Sequence, residues 1–252
     1  KSKGKDLSTS VFDKKLSLYK EANITFVGCS RWLSGKAKKS YLLRDKTVLS
    51  IPNPIDTKVY HPMDQGMARE LLGLPSGKRL LLFGALNVTD KRKGIDYLIE
   101  ALRRMEKQDV ELVVFGQVKD DIRGLFPVPI HSMGYLSDES KIVALYNAVD
   151  MFITSSLEEN LPNTIMESMA CGTPCVGFEI GGIPEMIDHR VNGYVANYKD
   201  AGDLANGIQW VLEHEDRLAL SDACVKKVQE NYTEEVVAKQ YTALYEKLLK
   251  GE

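Results

Sequence analysis

The amino-acid sequence predicts an α/β protein in which a parallel β-sheet carries helices on both faces. Short apolar segments alternate along the chain with segments of about ten residues that have helical spacing. Several apolar segments, such as 80–83 (LLLF) and 112–115 (LVVF), are apolar at every position. Strands buried on both faces show this unbroken pattern, whereas a half-exposed strand alternates. No internal repeat of about 20–50 residues competes with this interpretation.

Composition excludes several other classes of protein. The chain has 252 residues, of which 44% are hydrophobic and 27% are charged, so wholesale disorder and collagen-like repeats are excluded. A formal net charge of -2 gives no general reason to expect nucleic acid as a partner. No apolar run approaches the ~20 residues of a membrane span. Four scattered cysteines without a metal-binding pattern indicate reduced thiols, and the four histidines show no metal spacing.

The first fifty residues predict helix, strand, helix and strand. The helix is expected over 11–21 and the strands over 24–28 and 47–51, while Ser30 has the position of an N-cap for the second helix. Pro52, Asn53 and Pro54 end this part. Two short strands do not form a stable sheet by themselves. Because the chain also begins with Lys1 rather than Met, we expect this part to be the end of a domain that starts elsewhere.

From residue 63 the alternation of helices and strands starts again. Strands are expected over 79–84, 110–116, 129–133, 151–154, 174–178 and 193–195. Helices are expected over 67–72, 94–106, 138–148, 164–170, 182–187, 200–213, 216–229 and 234–250, with Ser137 as the cap of the third. Ligands of such sheets bind beyond the carboxyl ends of the strands, so the loops after Phe83, Phe115, Met133 and Thr154 are the places for a site.

One stretch, residues 155–187, has the residue types of a binding site. Glu159 lies in the loop after a strand, and seven residues separate it from Glu167. Asn160-Leu161-Pro162-Asn163 predicts a turn and the start of a helix, whose first N–H groups can hold a phosphate. Glu167 is placed to accept hydrogen bonds from sugar hydroxyls. Two plainer interpretations stay open: a glutamate in a first turn complements the helix dipole, and a loop glutamate is solvated.

The same residues resemble the nucleotide-sugar signature of the retaining GT-B glycosyltransferases of family 4. That signature has two glutamates at this spacing, followed here by Ser168-Met169-Ala170-Cys171-Gly172-Thr173-Pro174. Further segments match in the family's order. They are Pro52-Asn53-Pro54-Ile55-Asp56 with Tyr60, Asp90 to Gly94, Gly134-Tyr135-Leu136, Tyr146 to Asp150, Gly181 to Glu185, and Asn192-Gly193-Tyr194. The resemblance covers nearly the whole chain and implies a Rossmann-like sheet.

The resemblance implies a role for each matching residue. Glu167 would bind the ribose hydroxyls of a nucleotide, and Glu159 would contact the transferred sugar. Lys93 and Arg92 would neutralise the charge of the leaving diphosphate. The remaining donor-binding residues would be Asn160, Leu161, Asn163 and Thr164 around the diphosphate and Leu136 and Gly116 beside the base.

One departure from the family pattern concerns the arginine that usually follows the strand-ending glycine. Ala85 follows Gly84 here. Our hypothesis is that Arg92 supplies the missing charge. The alternative is that Arg92 pairs with a nearby carboxylate such as Asp90.

The resemblance also implies the organisation of the whole protein. We expect residues 1–54 to be the end of an N-terminal acceptor domain with its linker, residues 55–232 to be a nucleotide-sugar-binding domain, and residues 233–252 to be a helix that packs back on the N-terminal domain. The expected activity is transfer of a sugar from a nucleotide-diphosphate sugar with retention, in polysaccharide or glycolipid biosynthesis, although this chain alone would turn over poorly. Two alternatives are a non-catalytic nucleotide-sugar-binding module and a sugar-nucleotide epimerase of the same fold.

The expected partners follow from that activity. They are the nucleotide sugar and a saccharide or lipid-linked acceptor, without nucleic acid, metal or cofactor. We expect a cytoplasmic location. Arg31, Lys36, Lys38, Lys39 and Arg44 suggest a peripheral contact with the inner face of a membrane, and a solvated helix face explains the same residues.

Overall fold

The computed structural model describes residues 7–87, 90–105, 109–117 and 123–251. Two compact units are present, the first ending at Pro52 and the second starting at Asn53. The predicted boundaries at 54/55 and 232/233 stay predictions. Val88, Thr89 and Glu106, which belong to a predicted loop and a predicted helix end, lie outside the described residues.

The first unit pairs two parallel strands and carries two helices. Its elements are α1 (Leu7–Glu21), β1 (Thr25–Gly28), α2 (Arg31–Lys39) and β2 (Thr47–Ser50). The strands are in register from Thr25 with Thr47 to Gly28 with Ser50. Ser30 caps α2 as the sequence predicts, because its Oγ accepts a hydrogen bond of 3.0 Å from the Leu33 N–H.

The second unit holds, in the described residues, a six-stranded parallel sheet, which confirms the predicted fold class. The strand order is β5-β4-β3-β6-β7-β8. The strands are β3 (Arg79–Asn87), β4 (Val110–Gln117), β5 (Ile130–Gly134), β6 (Met151–Thr154), β7 (Cys175–Phe178) and β8 (Gly193–Ala196). The helices are α3 (Gln65–Leu72), α4 (Ile95–Arg104), α5 (Glu139–Ala148), α6 (Asn163–Ala170), α7 (Ile183–Met186), α8 (Ala201–Leu212), α9 (Arg217–Asn231) and α10 (Glu234–Leu249).

Helices cover both faces of this sheet. On one face, Leu98 of α4 and Ile208 of α8 are fully buried against side chains of β3, β4, β6 and β7. On the other face, the ring of Tyr146 in α5 packs edge-on against Phe152 of β6. A fully buried Leu or Ile side chain stabilises the fold by about 1.5–3 kcal/mol relative to an exposed one. The unbroken apolar strands therefore hold the sheet between two helix layers.

The sheet order places a switch point between β3 and β6. These strands are neighbours in the sheet, although α4, β4, β5 and α5 separate them in the chain. The chain goes from β3 outward to β4 and β5, and then returns to β6 and goes outward on the other side. A crevice forms at such a point beyond the carboxyl ends of the strands, where ligands of open α/β sheets bind. The loops that follow β3 and β6 line this crevice.

Three local predictions were wrong. The first helix begins at Leu7 instead of at Val11. The third strand continues to Asn87 instead of ending at Gly84, because Asn87 still pairs with Gln117 of β4 after an irregularity in the register. The cap of α5 is Asp138 and not Ser137, since the Asp138 carboxylate accepts a hydrogen bond of 3.0 Å from the Ser140 N–H. Neighbouring Ser and Asp are both good N-caps, so the sequence alone does not separate them.

Candidate active site

The loop after β3 is fixed to the loop after β6 by two hydrogen bonds. The Leu157 N–H donates to the carbonyl of Arg92 over 2.7 Å, and the Ser155 hydroxyl donates to the carbonyl of Lys93 over 2.9 Å. Gly94 makes this approach possible. It has φ +63°, and a Cβ there would lie 2.0 Å from the Ser155 carbonyl oxygen. The backbone that carries Lys93 is therefore held against the mouth of β6.

A third segment fixes the other end of the β6 loop. The Gly182 N–H donates to the carbonyl of Asn160 over 2.5 Å. Gly181 has φ +60°, and a Cβ there would lie 2.0 Å from the Glu159 carbonyl oxygen. The segment around Glu159 thus lies against the segment that follows β7.

Lys93 and Glu159 meet in this crevice. The Lys93 Nζ lies 2.5 Å from the Glu159 Oε1, and the two side chains are 33% and 14% exposed. Lys93 was predicted at the leaving diphosphate and Glu159 at the transferred sugar, which makes both predicted catalytic residues, and 66 positions separate them in the chain. The pair places an ammonium group with further N–H donors beside a carboxylate at the end of the central strands. Such a pair can hold a phosphate oxygen and a sugar hydroxyl side by side.

Glu167 lies in α6 and is largely buried. The Tyr146 hydroxyl donates to its Oε2 over 2.8 Å. Burial raises the pKa of Glu167 above its ordinary value, while the bond from Tyr146 acts in the opposite direction and the charge of Glu139 adds to the rise. A largely buried carboxylate that accepts only one protein hydrogen bond in the described structure has capacity for ligand hydroxyl groups.

Two tyrosines next to Glu167 were not predicted as site residues. Tyr146 is fully buried, and Tyr60 is half-buried with a hydrogen bond to Glu139. Burial raises the pKa of both phenols, and the charge of Glu167 raises both further, so both stay protonated donors. A tyrosine in an apolar helical segment, such as Tyr146, is expected to be buried, and a buried tyrosine hydroxyl group usually has a hydrogen-bond partner. The identity of that partner depends on tertiary structure.

The turn before α6 holds the remaining residues predicted around the diphosphate. The N-cap of α6 is Pro162, and no side chain caps the helix. Leu161 is buried, Thr164 is half-buried, and the Asn163 Oδ1 accepts a weak hydrogen bond of 3.4 Å from Asn53. The start of α6 carries positive partial charge and leads from Glu159 to Glu167. This is the arrangement that the sequence predicts for phosphate binding.

Arg92 is held by Asp90 in this structure. Its Nη2 lies 2.7 Å and its Nε 3.2 Å from the Asp90 carboxylate, and its side chain is 69% exposed. The Arg92 guanidinium lowers the pKa of Asp90 to about 2. This contact is the alternative that the sequence left open. The proposed role of Arg92 as a second phosphate ligand stays a prediction.

Leu136 and Gly116, which were predicted to border the base, lie at the same edge of the sheet. Gly116 is buried near the end of β4, and its φ of 122° favours glycine. Leu136 is half-buried and follows the end of β5. Both positions lie on the β4–β5 side of the crevice. Their role stays a prediction.

A cavity of about 330 Å³ lies at the opposite, amino ends of β6 and β7. Asp150 on its wall is 2.8 Å from Arg217 and 3.1 Å from Arg69, and it accepts a hydrogen bond of 2.7 Å from the Leu80 N–H. Its carboxylate is therefore used to join β3, β6 and two helices. We regard this cavity as structural and the carboxyl-end crevice as the candidate site.

Metal ligands and disulfides were not expected. In residues 7–87, 90–105, 109–117 and 123–251, no group of three His, Cys, Asp or Glu side chains is placed to hold a metal ion. The four cysteines are free thiols. The expected independence from metal stays a prediction.

The fold is a parallel α/β domain with a crevice at its switch point, the place where ligands of such sheets bind. Residues 77–214, more than half of the chain, match the family described as Glycosyl transferases group 1. The chain belongs to this family, which confirms the resemblance seen in the sequence.

Similar proteins include curated relatives and solved structures. The chain is 24% identical over 214 residues to N-acetyl-alpha-D-glucosaminyl L-malate synthase of Bacillus anthracis, covering 82% of the chain and 56% of that protein. It is 33% identical over 118 residues to N,N'-diacetylbacillosaminyl-diphospho-undecaprenol alpha-1,3-N-acetylgalactosaminyltransferase of Campylobacter jejuni, covering 46% of the chain and 31% of that protein. The matched part thus spans about half the length of these relatives or less.

Solved structures share the fold. The structure of Anabaena HepE in complex with UDP and glucose is 18% identical, with a TM-score of 0.77, and the match covers 96% of this chain and 67% of that one. This likeness confirms the α/β architecture. Within the described ranges, no helix has the length and apolar character that a membrane span requires.

Proposed function

We propose that the crevice binds a nucleotide-diphosphate sugar and that the protein transfers the sugar to an acceptor hydroxyl with retention of anomeric configuration. The observation that carries this proposal is the contact between Lys93 and Glu159 beside the uncapped start of α6. Membership of the glycosyl transferases group 1 family supports it. The complex of the similarly folded HepE with UDP and glucose supports a donor of this class.

The cationic groups of the crevice fit a diphosphate. Lys93 and the first N–H groups of α6 provide two sources of positive charge on either side of the Glu159 loop. Charge grows on the diphosphate as the sugar leaves, so these groups stabilise the transition state more than the bound substrate. Arg92 would add a second cation after exchanging its Asp90 partner for a phosphate oxygen.

The proposed reaction needs no protein nucleophile. The bond between the anomeric carbon and the β-phosphate oxygen breaks, and the acceptor oxygen forms a new bond to the same face of that carbon. The leaving phosphate oxygen takes the proton of the acceptor hydroxyl. Glu159 would orient the sugar, and Glu167 would hold the ribose. The protein contributes position and charge stabilisation.

A second candidate is a module that binds a nucleotide sugar without efficient transfer. This second candidate is supported by the partial match to the curated relatives, because the matched part covers 56% of the Bacillus anthracis protein. The chain of 252 residues would then bind donor and turn over slowly.

The acceptor is proposed to be a saccharide or a lipid-linked sugar, and the name of the Campylobacter jejuni relative supports a lipid diphosphate acceptor. A cytoplasmic location, with a peripheral membrane contact as the alternative, is proposed together with it.

The test is a thermal-shift panel of UDP, GDP, ADP and their sugars against the purified chain. A ligand at 100 times its Kd stabilises the protein by about 2.7 kcal/mol, which corresponds to roughly 5–10 °C for a domain of this size. We expect one nucleotide to give such a shift and Glu167→Ala to lose it. The control is Glu100→Ala on α4, where the side chain is 44% exposed, and this variant should keep the thermal shift.

The outcomes separate the candidate functions. If no nucleotide shifts the melting temperature, the proposed function is wrong. Transfer of a labelled sugar to a saccharide or lipid acceptor supports the enzyme, and binding without transfer in this assay supports the module. Consumption of the nucleotide sugar without any acceptor indicates the epimerase instead.

A further inference from the structure

Tyr146 occupies an unusual place beside the candidate site. It lies in α5, and its side chain is fully buried. The ring packs edge-on between Phe115 and Phe152, with centroid distances of 6.3 and 6.0 Å and interplanar angles of 82° and 83°. These contacts fix the ring, and a fixed ring fixes the direction of its hydroxyl bond. That hydroxyl group donates to the Glu167 Oε2.

The hydrogen bond divides the tasks of the two Glu167 oxygens. Oε2 accepts from Tyr146 over 2.8 Å, and Oε1 has no hydrogen-bond partner among the described residues. A free glutamate side chain loses up to about 1.5–2 kcal/mol of rotamer entropy when a ligand fixes it. Because Tyr146 already restricts Glu167, a ligand that binds Oε1 meets a carboxylate whose position is set in advance.

The surroundings of Glu167 are consistent with such a role. Burial of the carboxyl group and the nearby Glu139 charge disfavour its ionised form, whereas the hydrogen bond from Tyr146 favours it. Tyr60, which lies within range of the Glu167 charge, makes its side-chain hydrogen bond with Glu139 instead. In the described structure, Tyr146 is thus the hydroxyl group that contacts Glu167 directly.

We propose that Tyr146 is a positioning residue that holds Glu167 with Oε1 toward the ligand and thereby sets the preference of the site for the cis-diol of a ribonucleotide. This inference rests on the proposed function. It goes beyond the assignment of Glu167, because it assigns the selectivity for ribose to a residue that does not touch the ligand.

The experiment measures, by calorimetry, the affinities of UDP and 2′,3′-dideoxy-UDP. If the thermal-shift panel identifies another base, GDP or ADP and its dideoxy form replace them. The variant is Tyr146→Phe, which keeps the ring and removes the hydroxyl group. The matched control is Tyr194→Phe, because Tyr194 is also buried and also donates over 2.8 Å to a carboxylate, that of Asp203. We expect Tyr146→Phe to lower the affinity for UDP about 5- to 10-fold and to change the affinity for dideoxy-UDP by less than about twofold. The control should change neither.

A second comparison separates positioning from a general loss of structure. In the Glu167→Ala background, where no side-chain oxygen accepts the Tyr146 hydrogen bond, Tyr146→Phe should change the remaining UDP affinity by less than twofold. As the pH is lowered, the UDP affinity of Tyr146→Phe should begin to fall at a higher pH than the UDP affinity of the unaltered protein. The reason is that the variant lacks the hydrogen bond that favours the ionised form of Glu167.

Three results would overturn the inference. The first is a Tyr146→Phe protein that binds UDP as the unaltered protein does. The second is an equal loss for UDP and dideoxy-UDP, which indicates a structural role. The third is an equal loss in both Glu167 backgrounds. If the unaltered protein binds no nucleotide of the thermal-shift panel, the proposed function itself fails, and this inference fails with it.

Discussion

Gly181→Ala tests whether the contact between the β7 and β6 loops builds the site. A methyl group at this position would lie 2.0 Å from the carbonyl oxygen of Glu159 and 2.7 Å from its carbonyl carbon. Ordinary contacts of a Cβ begin near 3.4 Å. The Glu159 backbone must therefore move by more than 1 Å. Gly73→Ala is the matched control. Gly73 has φ +65°, close to the +60° of Gly181, but nothing lies within 4 Å of a Cβ at Gly73.

The magnitudes follow from these two geometries. A left-handed backbone costs an alanine about 1–2 kcal/mol at either position. The collision adds about 1–3 kcal/mol at Gly181 alone, by analogy with overpacked cores. We therefore expect Gly181→Ala to lower the melting temperature further than Gly73→Ala does, by roughly 2–12 °C. It should also weaken binding of the nucleotide sugar, while Gly73→Ala leaves binding unchanged.

The assay combines thermal unfolding with calorimetric titration of the nucleotide sugar that the panel identifies. Equal melting temperatures for the two variants would refute the collision argument. A destabilised Gly181→Ala protein with unchanged affinity would refute a different step, namely that the Glu159 backbone belongs to the binding site. The two readouts thus test packing and function separately.

Three further predictions concern the charged groups. Lys93→Met should weaken the binding of UDP at least tenfold, because a hydrogen bond to a charged group is worth about 1.5–3 kcal/mol. It should also lower stability in urea, because the Glu159 carboxylate, which is 14% exposed, loses the ammonium group that neutralises it. Arg92→Ala should weaken the binding of UDP in the same titration, and an unchanged affinity would leave Arg92 as a partner of Asp90 alone. The raised pKa of Glu167 means that its ionised form destabilises the fold, so the penalty is absent below its ordinary value of 4.5 and develops as the pH rises through the folded value. Glu167→Gln should therefore be more stable than the unaltered protein at pH 7 and equally stable at pH 4 in urea titrations; a stability difference that does not depend on pH would contradict this assignment.

Much of the fold could be predicted because it depends on local pattern. The segment Met151-Phe152-Ile153-Thr154 gave the bounds of β6 without error, and α6 begins one residue from the predicted start. The errors fall where two local solutions are similar in energy. Ser137 and Asp138 are both suitable caps, and the end of β3 depends on pairing with β4 rather than on its own residues.

The site could be predicted only in part, because its contacts join distant segments. The expected role of Lys93 comes from the family resemblance, but its contact with Glu159 arises from the neighbouring positions of β3 and β6 in the sheet. The bond from Tyr146 to Glu167 spans 21 positions and two helices, and no periodicity in the sequence predicts it. The pairing of Arg92 with Asp90 spans two positions, and for that reason the sequence could offer it as an alternative.

The two glycines of the crevice explain how one loop can carry so much of the site. Gly94 lies against the carbonyl of Ser155, and Gly181 lies against the carbonyl of Glu159, so the β6 loop is held near both of its ends by backbone that only glycine allows to come so close. Loops held by backbone contacts lose less entropy when a ligand orders them. Lys93 directly precedes the first glycine, and Glu159 contacts the second. The backbone from which the two side chains of the ion pair extend is therefore held by the same two contacts that hold the loop.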